Sequence, residues 1–515
     1  MITLLRITPL ALAFLAILAA APARAGWYEA SSEHFVIYAD DMEADVRLFA
    51  ENLERYHAAL ERFTGRDIET PSPSNRVSVY VVGNAAAVEQ LAGTNGIAGF
   101  YMPRAGNSAA FVQDIQNRTG YPALSTIVLQ HEYAHHFLMS SARFAMPLWM
   151  NEGAAEFFGA TGFAEDGSLL MGLTAVHRWR DLHFASNKGI SVSELLDFDP
   201  ADPYRGLGRE AFYARSWLLY HFLSMREERA GQLRAYWLGV LGATPSLEAA
   251  QKAFGSLAQL ERELTAHWRK GRKEGFVLAP GELAIGEVKL RRLPPGEAAM
   301  MEVRIRATRA APDEESEALA QEARRIAQDH ADEAAVLALL AQAEYASGDD
   351  AAAIEAAEAA LALEPANKTA LAHKGLALFR QAEALGDPAG RDAAIEAAMV
   401  PLRALNALEN DHPLPLIMTY RSHIARGEEP SDLAKAAIAR AAELAPFDAQ
   451  LWLIVGLMHI HDGRIGEARA ALAPLASHPH GGPKGQQMRD LVAMLQGRAE
   501  GERFPMLELI AQEMR

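Results

Sequence analysis

The chain has 515 residues, half of them hydrophobic and 22% charged, which is the composition of a globular protein with two or three domains. A formal net charge of −17 and the lack of any basic run argue against a nucleic-acid-binding surface. Because the chain has no cysteine, disulfides and thiolate ligands are excluded, and any bound metal must be held by histidine and carboxylate side chains.

The first 25 residues have the features of a signal peptide. Arg6 supplies the positive charge, residues 10–21 are a short apolar run, and Ala23-Arg24-Ala25 is a small-x-small cleavage signal before Gly26. The run is short for a bilayer, so we expect cleavage rather than a retained membrane anchor, which is the alternative. The sequence therefore predicts an exported protein, periplasmic or secreted, with no membrane span after signal cleavage.

Residues 26–278 are predicted to form one α+β domain with strands early and helices late. Period-two alternation and β-branched residues predict strands, and apolar residues spaced by three and four predict helices. The predicted strands are residues 34–38, 75–82, 99–102 and 109–112, and the predicted helical segments are residues 42–63 and, with interruptions, 121–270.

Residues 279–312 are predicted to be a connector. Residues 287–293 and 300–305 are candidates for two short strands on either side of the turn signal Pro294-Pro295-Gly296.

Residues 313–515 are alanine-rich and show a tetratricopeptide-like period, so we expect an all-α repeat domain. Small residues allow the two helices of each repeat to approach closely, and a proline closes each repeat. The positions that carry the pattern are Leu340, Ala341, Ala353, Ala360, Pro365, Ala434, Ala441, Pro446, Trp452, Gly456 and Ala468. The stretch 367–410 is irregular and longer than one repeat. A generic alanine-rich helical bundle is the alternative.

A His-Glu-x-x-His motif lies at residues 131–135. Residues four apart on a helix lie on one face, with about 5–6 Å between their Cβ atoms, so His131 and His135 can bind one ion. Glu132 cannot reach that ion from the same helix, and it is placed to accept a proton from a metal-bound water as a general base. The alternative is a pair of ordinary surface or core histidines.

A second motif, Leu-Trp-Met-Asn-Glu-Gly-Ala-Ala at residues 148–155, resembles the third-ligand motif of the gluzincin clan of zinc peptidases, in particular its aminopeptidases. The resemblance implies a zincin-like catalytic domain with Zn²⁺ held by His131, His135 and Glu152. Glu156, one turn further on, is the competing ligand and is otherwise expected to orient an imidazole. His136 is expected to be a surface or capping residue.

The resemblance also implies a downstream group that stabilises the oxyanion. Tyr213 precedes an apolar helix, as the corresponding tyrosine does in the aminopeptidases, although a packing role remains open and Tyr204 is the second candidate. The histidine that thermolysin uses has three candidates, which are His177, His183 and His221. The Gly-x-Met-x-Asn strand by which the aminopeptidases hold a free N-terminus is missing, so exopeptidase activity is not implied.

Taken together, the motifs predict an exported zinc-dependent metallopeptidase that acts on a peptide or protein substrate, with a protein partner on its repeats. Two other hypotheses stay open. One is a catalytically silent repeat-based binding or assembly protein with a vestigial zincin domain, and the other is a zinc amidase acting on cell-wall material.

Overall fold

The computed structural model describes residues 26–66, 68–141, 146–188, 190–197, 208–242, 244–271, 273, 275–310, 313–476 and 482–514. The predicted signal peptide and Tyr204 lie outside the described residues. None of the described helices is both long enough and apolar enough to cross a membrane.

A six-stranded mixed sheet forms the base of the N-terminal half. Its strands in chain order are β1 (Gly26–Ser31), β2 (Phe35–Asp41), β3 (Val77–Val81), β4 (Gly99–Met102), β5 (Ala109–Val112) and β9 (Lys289–Arg292). Their order across the sheet is β4-β5-β3-β2-β1-β9. Strands β2, β3 and β5 run parallel to each other, and the remaining pairs are antiparallel. The four strands predicted from alternation are therefore present, each within a few residues of its predicted bounds.

Helices lie on both faces of this sheet. The first is α1 (Glu43–Thr64), which matches its prediction closely, and α2 (Ala85–Ala92) is a short helix after β3. The Tyr56 hydroxyl of α1 donates to the Gln130 carbonyl at 2.8 Å, on helix α3 (Leu124–Ser141). This buried contact ties α1 to the helix that carries the His-Glu-x-x-His motif.

The middle of the chain is mostly helical, as predicted, but it also contains a small sheet. The helices are α3, α4 (Leu148–Gly159), α5 (Trp179–Lys188), α6 (Val192–Leu196), α7 (Arg209–Met225), α8 (Gln232–Leu241), α9 (Ser246–Phe254) and α10 (Leu257–Arg269). The small sheet consists of β6 (Gly162–Phe163), β7 (Leu169–Met171) and β8 (Phe276–Leu278).

The described part of the predicted connector, residues 279–310, adds a strand to the large sheet and packs against both halves of the chain. Strand β9 pairs with β1 at the edge of the large sheet, but the second predicted strand is wrong, because its residues form α11 (Pro295–Ala299) and α12 (Met301–Arg309). The reason is that α12 is buried on two sides. Met301 and Ile305 pack on the sheet, while Val303 packs among the repeat helices, and this double burial imitates the alternation of a strand.

Residues 313–476 and 482–514 form helices that pack on their neighbours in the chain, so the described chain consists of a mixed α/β N-terminal region and a helical, repeat-like body. The helices are α13 (Asp313–Asp329), α14 (Ala334–Ser347), α15 (Asp350–Leu363), α16 (Lys368–Glu383), α17 (Pro388–Leu408), α18 (Pro413–Arg426), α19 (Asp432–Leu444), α20 (Ala449–Asp462), α21 (Ile465–Ala476), α22 (Gly482–Leu495) and α23 (Leu507–Glu513). The irregular stretch 367–410 is an ordinary pair whose second helix has 21 residues.

Small residues recur at the same place in the first helix of three pairs. Ala341, Gly375 and Gly456 are each the eighth residue of their helix. A Cβ atom at Gly375 would lie 2.6 Å from a Leu402 side-chain atom, and one at Gly456 would lie 2.5 Å from a Leu472 side-chain atom. Close approach of paired helices is therefore the reason for these small residues.

The two halves of the chain pack directly against each other. The backbone N–H of Ala105 donates to the Asp448 carboxylate at 2.8 Å, and Met139 of α3 packs against the core of the last repeats. The His136 ring lies 4.4 Å from the Phe447 ring and bonds the Tyr101 hydroxyl at 2.6 Å. The expectation that His136 is a surface or capping residue is therefore wrong, because this side chain lies in the junction between the halves.

Candidate metal centre

Two crossing helices, α3 and α4, bring the motif residues together. Helix α3 presents His131 and His135 one turn apart, and both side chains are buried. Helix α4 begins directly after Pro147 and is buried along its whole length, so its polar residues must find partners inside the protein. Glu152, fully buried, is on the side of α4 that meets the two imidazoles.

Two glycines set how closely α4 approaches its neighbours. A Cβ atom at Gly153 would lie 2.5 Å from the Ser216 carbonyl oxygen on α7, and one at Gly159 would lie 3.2 Å from the His131 Cβ atom. The glycine of the Asn-Glu-Gly sequence is therefore required for packing, since it lets backbone meet backbone beside the candidate ligand Glu152.

The candidate ligand atoms have the spacing that a tetrahedral ion requires. His131 Nε2 and His135 Nε2 are 3.1 Å apart, and Glu152 Oε2 lies 3.7 Å from the first and 3.5 Å from the second. Ligand atoms about 2.0–2.1 Å from a tetrahedral zinc ion lie about 3.3–3.4 Å from each other. Two imidazole nitrogens and one carboxylate oxygen are also a donor set that zinc accepts, so these residues fit the ion.

A hydrogen bond behind His135 and an ionic contact behind His131 orient the two ligand nitrogens towards one point. His135 Nδ1 is 2.9 Å from Asn151 Oδ1, and His131 Nδ1 is 3.4 Å from Glu156 Oε1. An oxygen on the far side of each ring favours the tautomer that has its proton on Nδ1 and its lone pair on Nε2, where the two Nε2 atoms face each other across the centre. Two lone pairs and a carboxylate at this distance call for a cation or a proton between them.

The protonation of the two imidazoles agrees with this requirement. Burial lowers the pKa of His131 to about 4, so this ring is neutral at pH 7. Burial also acts to lower the pKa of His135, but the Glu152 carboxylate beside it outweighs that effect and raises the pKa to about 9. The Glu152 carboxylate therefore favours the protonated form of His135, and a metal ion would compete with that proton.

Glu156 takes the supporting position that the sequence offered as an alternative to ligation. Its carboxylate bonds His177 Nε2 at 2.8 Å and is paired with the Arg178 guanidinium, in addition to its contact with His131. Burial alone would raise the pKa of Glu156, but Arg178 and His177 hold that pKa below its usual value. Glu156 is thus an anion between His131 and a cation, and it faces the Nδ1 atom of the imidazole.

Glu132 and Tyr213 both lie beside this centre. Burial, together with the nearby carboxylates of Glu152 and Glu156, raises the pKa of the half-buried Glu132, although His135 opposes the rise. The ring of Tyr213 on α7 lies 6.3 Å from the His131 ring, and the Arg178 guanidinium lies 5.4 Å from the Tyr213 ring. The structure therefore brings both predicted catalytic residues to the three candidate ligands, while their roles stay predictions.

The three downstream histidines have different surroundings. His177 bonds Glu156, as above, and its other nitrogen is 3.3 Å from the Tyr121 hydroxyl. His183 is exposed, and His221 is buried against the Gly172 carbonyl. His177 alone of these three bonds a residue of the centre. The sequence analysis did not predict that Asn151 bonds His135 or that Arg178 pairs with Glu156. The position of Asn151 next to Glu152 in the motif could have indicated the first of these contacts.

Comparisons with known proteins add little to this geometry. No protein-family model matches the chain, and no curated protein matches it in sequence. A crystal structure of a thermophilic TPR (tetratricopeptide-repeat) protein from Thermus thermophilus matches with 17% identity and a TM-score of 0.31, covering 38% of this chain and 96% of that chain. The assignment to the gluzincin clan stays a prediction from the two motifs.

Proposed function

We propose that this protein is a zinc-dependent metallohydrolase of gluzincin type that cleaves amide bonds, above all peptide bonds. The observation that supports it most directly is the convergence of His131, His135 and Glu152, with ligand atoms 3.1–3.7 Å apart and both Nε2 atoms directed inwards. A purely structural zinc site has four protein ligands, whereas a site with three leaves one position open.

The chemistry proposed for the residues follows from their placement. Zinc bound by the three ligands would polarise a carbonyl group and lower the pKa of a water molecule. Glu132 accepts the proton of the attacking water and delivers it to the leaving amine, for which a raised carboxyl pKa is suited. Tyr213 donates a hydrogen bond to the oxygen on which charge develops. Glu156 and Asn151 hold the imidazoles in the tautomer that ligation needs.

The experiment that tests this proposal separates catalysis from metal binding. Zinc content and hydrolysis of a peptide library are measured for the parent protein and for Glu132→Gln, which keeps the size of the side chain but removes its basicity. Loss of a general base costs about 10²–10⁴ in rate. We expect the variant to keep the zinc content and the unfolding temperature of the parent. Its turnover should fall by about 100-fold or more.

Glu165→Gln is the matched control, because Glu165 is an exposed glutamate of the same half. It should leave both zinc content and turnover unchanged. Unchanged turnover in Glu132→Gln would show that the proposed base is wrong. A zinc-loaded parent that hydrolyses amide bonds of cell-wall material but no peptide of the library would be the amidase. A parent that hydrolyses neither would favour the repeat-based binding protein instead.

Export and partner binding are also part of the proposal. We propose that residues 1–25 are removed and that the mature protein begins at Gly26 outside the cytoplasm, which N-terminal sequencing of protein from the host tests directly. Retention of Met1 would contradict this. The helical repeats are proposed to bind a protein partner, since stacked helical pairs present an extended surface.

A further inference from the structure

A cavity of about 630 Å³ lies in the junction between the two halves. The α3 side supplies Phe137 and Ser140 to its wall, and the repeat side supplies Phe447 and Trp452. Its volume is within the ~300–1,000 Å³ range of ligand-binding sites, and its combination of aromatic and polar walls is also typical of them. We call it the junction cavity. The metal ligands His131, His135 and Glu152 are not part of its lining.

Among the polar atoms of the lining, Ser140 Oγ and His57 Nε2 have no hydrogen-bond partner within the described residues. His57 is 4% exposed, its Nδ1 bonds the Tyr133 hydroxyl at 2.7 Å, and the nearest carboxylate oxygen to its Nε2, from Glu61, is 3.5 Å away. Burial lowers the pKa of His57 to about 3, so its ring is neutral. Buried polar atoms without a partner carry an energetic penalty, which a ligand with its own donors and acceptors removes.

The described lining of the junction cavity carries more carboxylates than lysine or arginine side chains. Four carboxylates line it, those of Glu69, Asp411, Glu443 and Glu467, while its described lining contains no lysine or arginine. Arg440, which pairs with Asp411 and Glu443, and Arg464, which pairs with Glu467, lie outside the lining and offset part of this charge.

We propose that the junction cavity binds a segment of polypeptide that carries lysine or arginine next to apolar side chains. The aromatic walls accept the apolar side chains and also attract cations, and the carboxylates favour a positive ligand. Ser140 Oγ and His57 Nε2 can bond the backbone amides of such a segment. A peptide supplies all three kinds of contact from one chain, whereas a free amine supplies only charge.

The cavity also reaches the residue that supports one metal ligand. Asn151 lines it, and the Asn151 side chain accepts the hydrogen bond from His135 Nδ1. A bound segment therefore lies one side chain away from the candidate metal centre, on the side opposite to its ligand atoms. This inference does not depend on catalysis at the centre, because binding alone defines it.

Calorimetric titration of the full-length Glu132→Gln protein tests the proposal without cleavage of the probe. The probes are an acetylated and amidated octapeptide with three Lys, three Leu and two Gly, the same peptide with Glu in place of Lys, and spermidine. We expect the basic peptide to bind at least tenfold more tightly than either of the other two. If the acidic peptide binds equally well, or if spermidine binds as tightly as the basic peptide, the proposal is overturned.

Two variants locate the site. Ala470 lines the cavity on the repeat side but is exposed, so Ala470→Trp adds bulk there without disturbing the core, and it should abolish binding of the basic peptide. Ala359→Trp, at an exposed position of α15, is the control and should bind normally. Removing the exposed carboxylates of Glu443 and Glu467 together by Glu→Gln should weaken binding by about five- to tenfold, as two partly exposed charges would. Unaltered binding in Ala470→Trp would place the peptide elsewhere.

Discussion

Gly153 in α4 and Gly456 in α20 meet the same steric restriction with different neighbours. A Cβ atom at either position would lie 2.5 Å from another atom. At Gly153 that atom is the carbonyl oxygen of Ser216, part of a helix backbone, whereas at Gly456 it is the terminal Cδ2 of Leu472. The backbone at Ser216 can move only if α7 moves with it, whereas the Leu472 side chain can change its rotamer.

This difference separates the two halves of the protein. In the N-terminal half, elements far apart in sequence hold α3 and α4, the helices of the candidate metal centre, by backbone contact and buried polar pairs. In the repeats, each helix packs by small and flexible side chains on its neighbours in the chain. We therefore expect substitutions and truncations to destabilise the N-terminal half strongly and the repeats only slightly.

The largest effect on stability is expected when the chain is truncated before β9 rather than after α12. A fragment of residues 26–270 lacks β9, which pairs with β1, and α12, which covers one face of the sheet through Met301 and Ile305. We expect this fragment to lack cooperative unfolding, because an open sheet edge and an uncovered face remain. A fragment of residues 26–310 should unfold cooperatively and hold zinc. Cooperative, zinc-loaded behaviour of the shorter fragment would show that the boundary lies before β9.

The next effect concerns the third ligand. Glu152→Gln removes an anionic ligand, so zinc affinity should fall by more than the ~10–100-fold that loss of an orienting residue costs. Glu156→Gln removes the anion that contacts His131 Nδ1, His177 and Arg178 but no ligand, so the fall in zinc affinity should stay within that range. Competition with a chromophoric zinc chelator measures both. The reverse order would assign the metal to Glu156.

A smaller change is expected when Asn151 is replaced. Asn151→Ala removes the acceptor of the His135 Nδ1 proton, and zinc affinity should fall by about 10–100-fold. Asn151→Asp, which keeps an acceptor, should restore most of that affinity. Asn107→Ala, at an exposed loop position, is the control. If the aspartate variant is as weak as the alanine variant, the hydrogen bond is not what matters.

The two glycines give the smallest and most direct test. Gly153→Ala forces backbone apart and should destabilise the protein by about 1–3 kcal/mol, as overpacking does. Gly456→Ala displaces only a leucine side chain, so the ~1 kcal/mol gain in helix propensity that both substitutions share should offset this smaller cost. Urea unfolding, followed by signals from each half, measures both changes. Equal destabilisation would remove the contrast between the halves.

The sequence predicted those parts of the molecule that depend on local spacing or on a recognised motif. The helical period predicts that His131 and His135 lie on one face of α3. Only the motif predicts Glu152 as a ligand, because its contact with the histidines depends on how α4 packs against α3. The support from Arg178 could not be predicted, since it reaches Glu156 from a separate turn, residues 176–178. Long-range contacts of this kind leave no periodic signal.

The fold shows the same division. Helix α1 and strand β3 have local patterns and were predicted within a few residues. The junction between the halves was not predicted, and neither was the helical state of α12, because burial on two sides hides the helical period. His136 was misjudged because its contact with Phe447 joins two residues that lie in different halves of the chain.

The pairing of β1 with β9 delays completion of the large sheet during synthesis. Glu29 and Arg291 are opposite each other in this pair and are 262 residues apart in the chain. At about 5–20 residues per second, the ribosome needs about 13–50 s to make the second strand after the first. Throughout that interval the large sheet lacks its final edge strand. Such a delay would suit a chain that crosses a membrane before it folds. An N-terminal region that still lacks its last strand stays unfolded, and an unfolded chain can pass through a translocation channel.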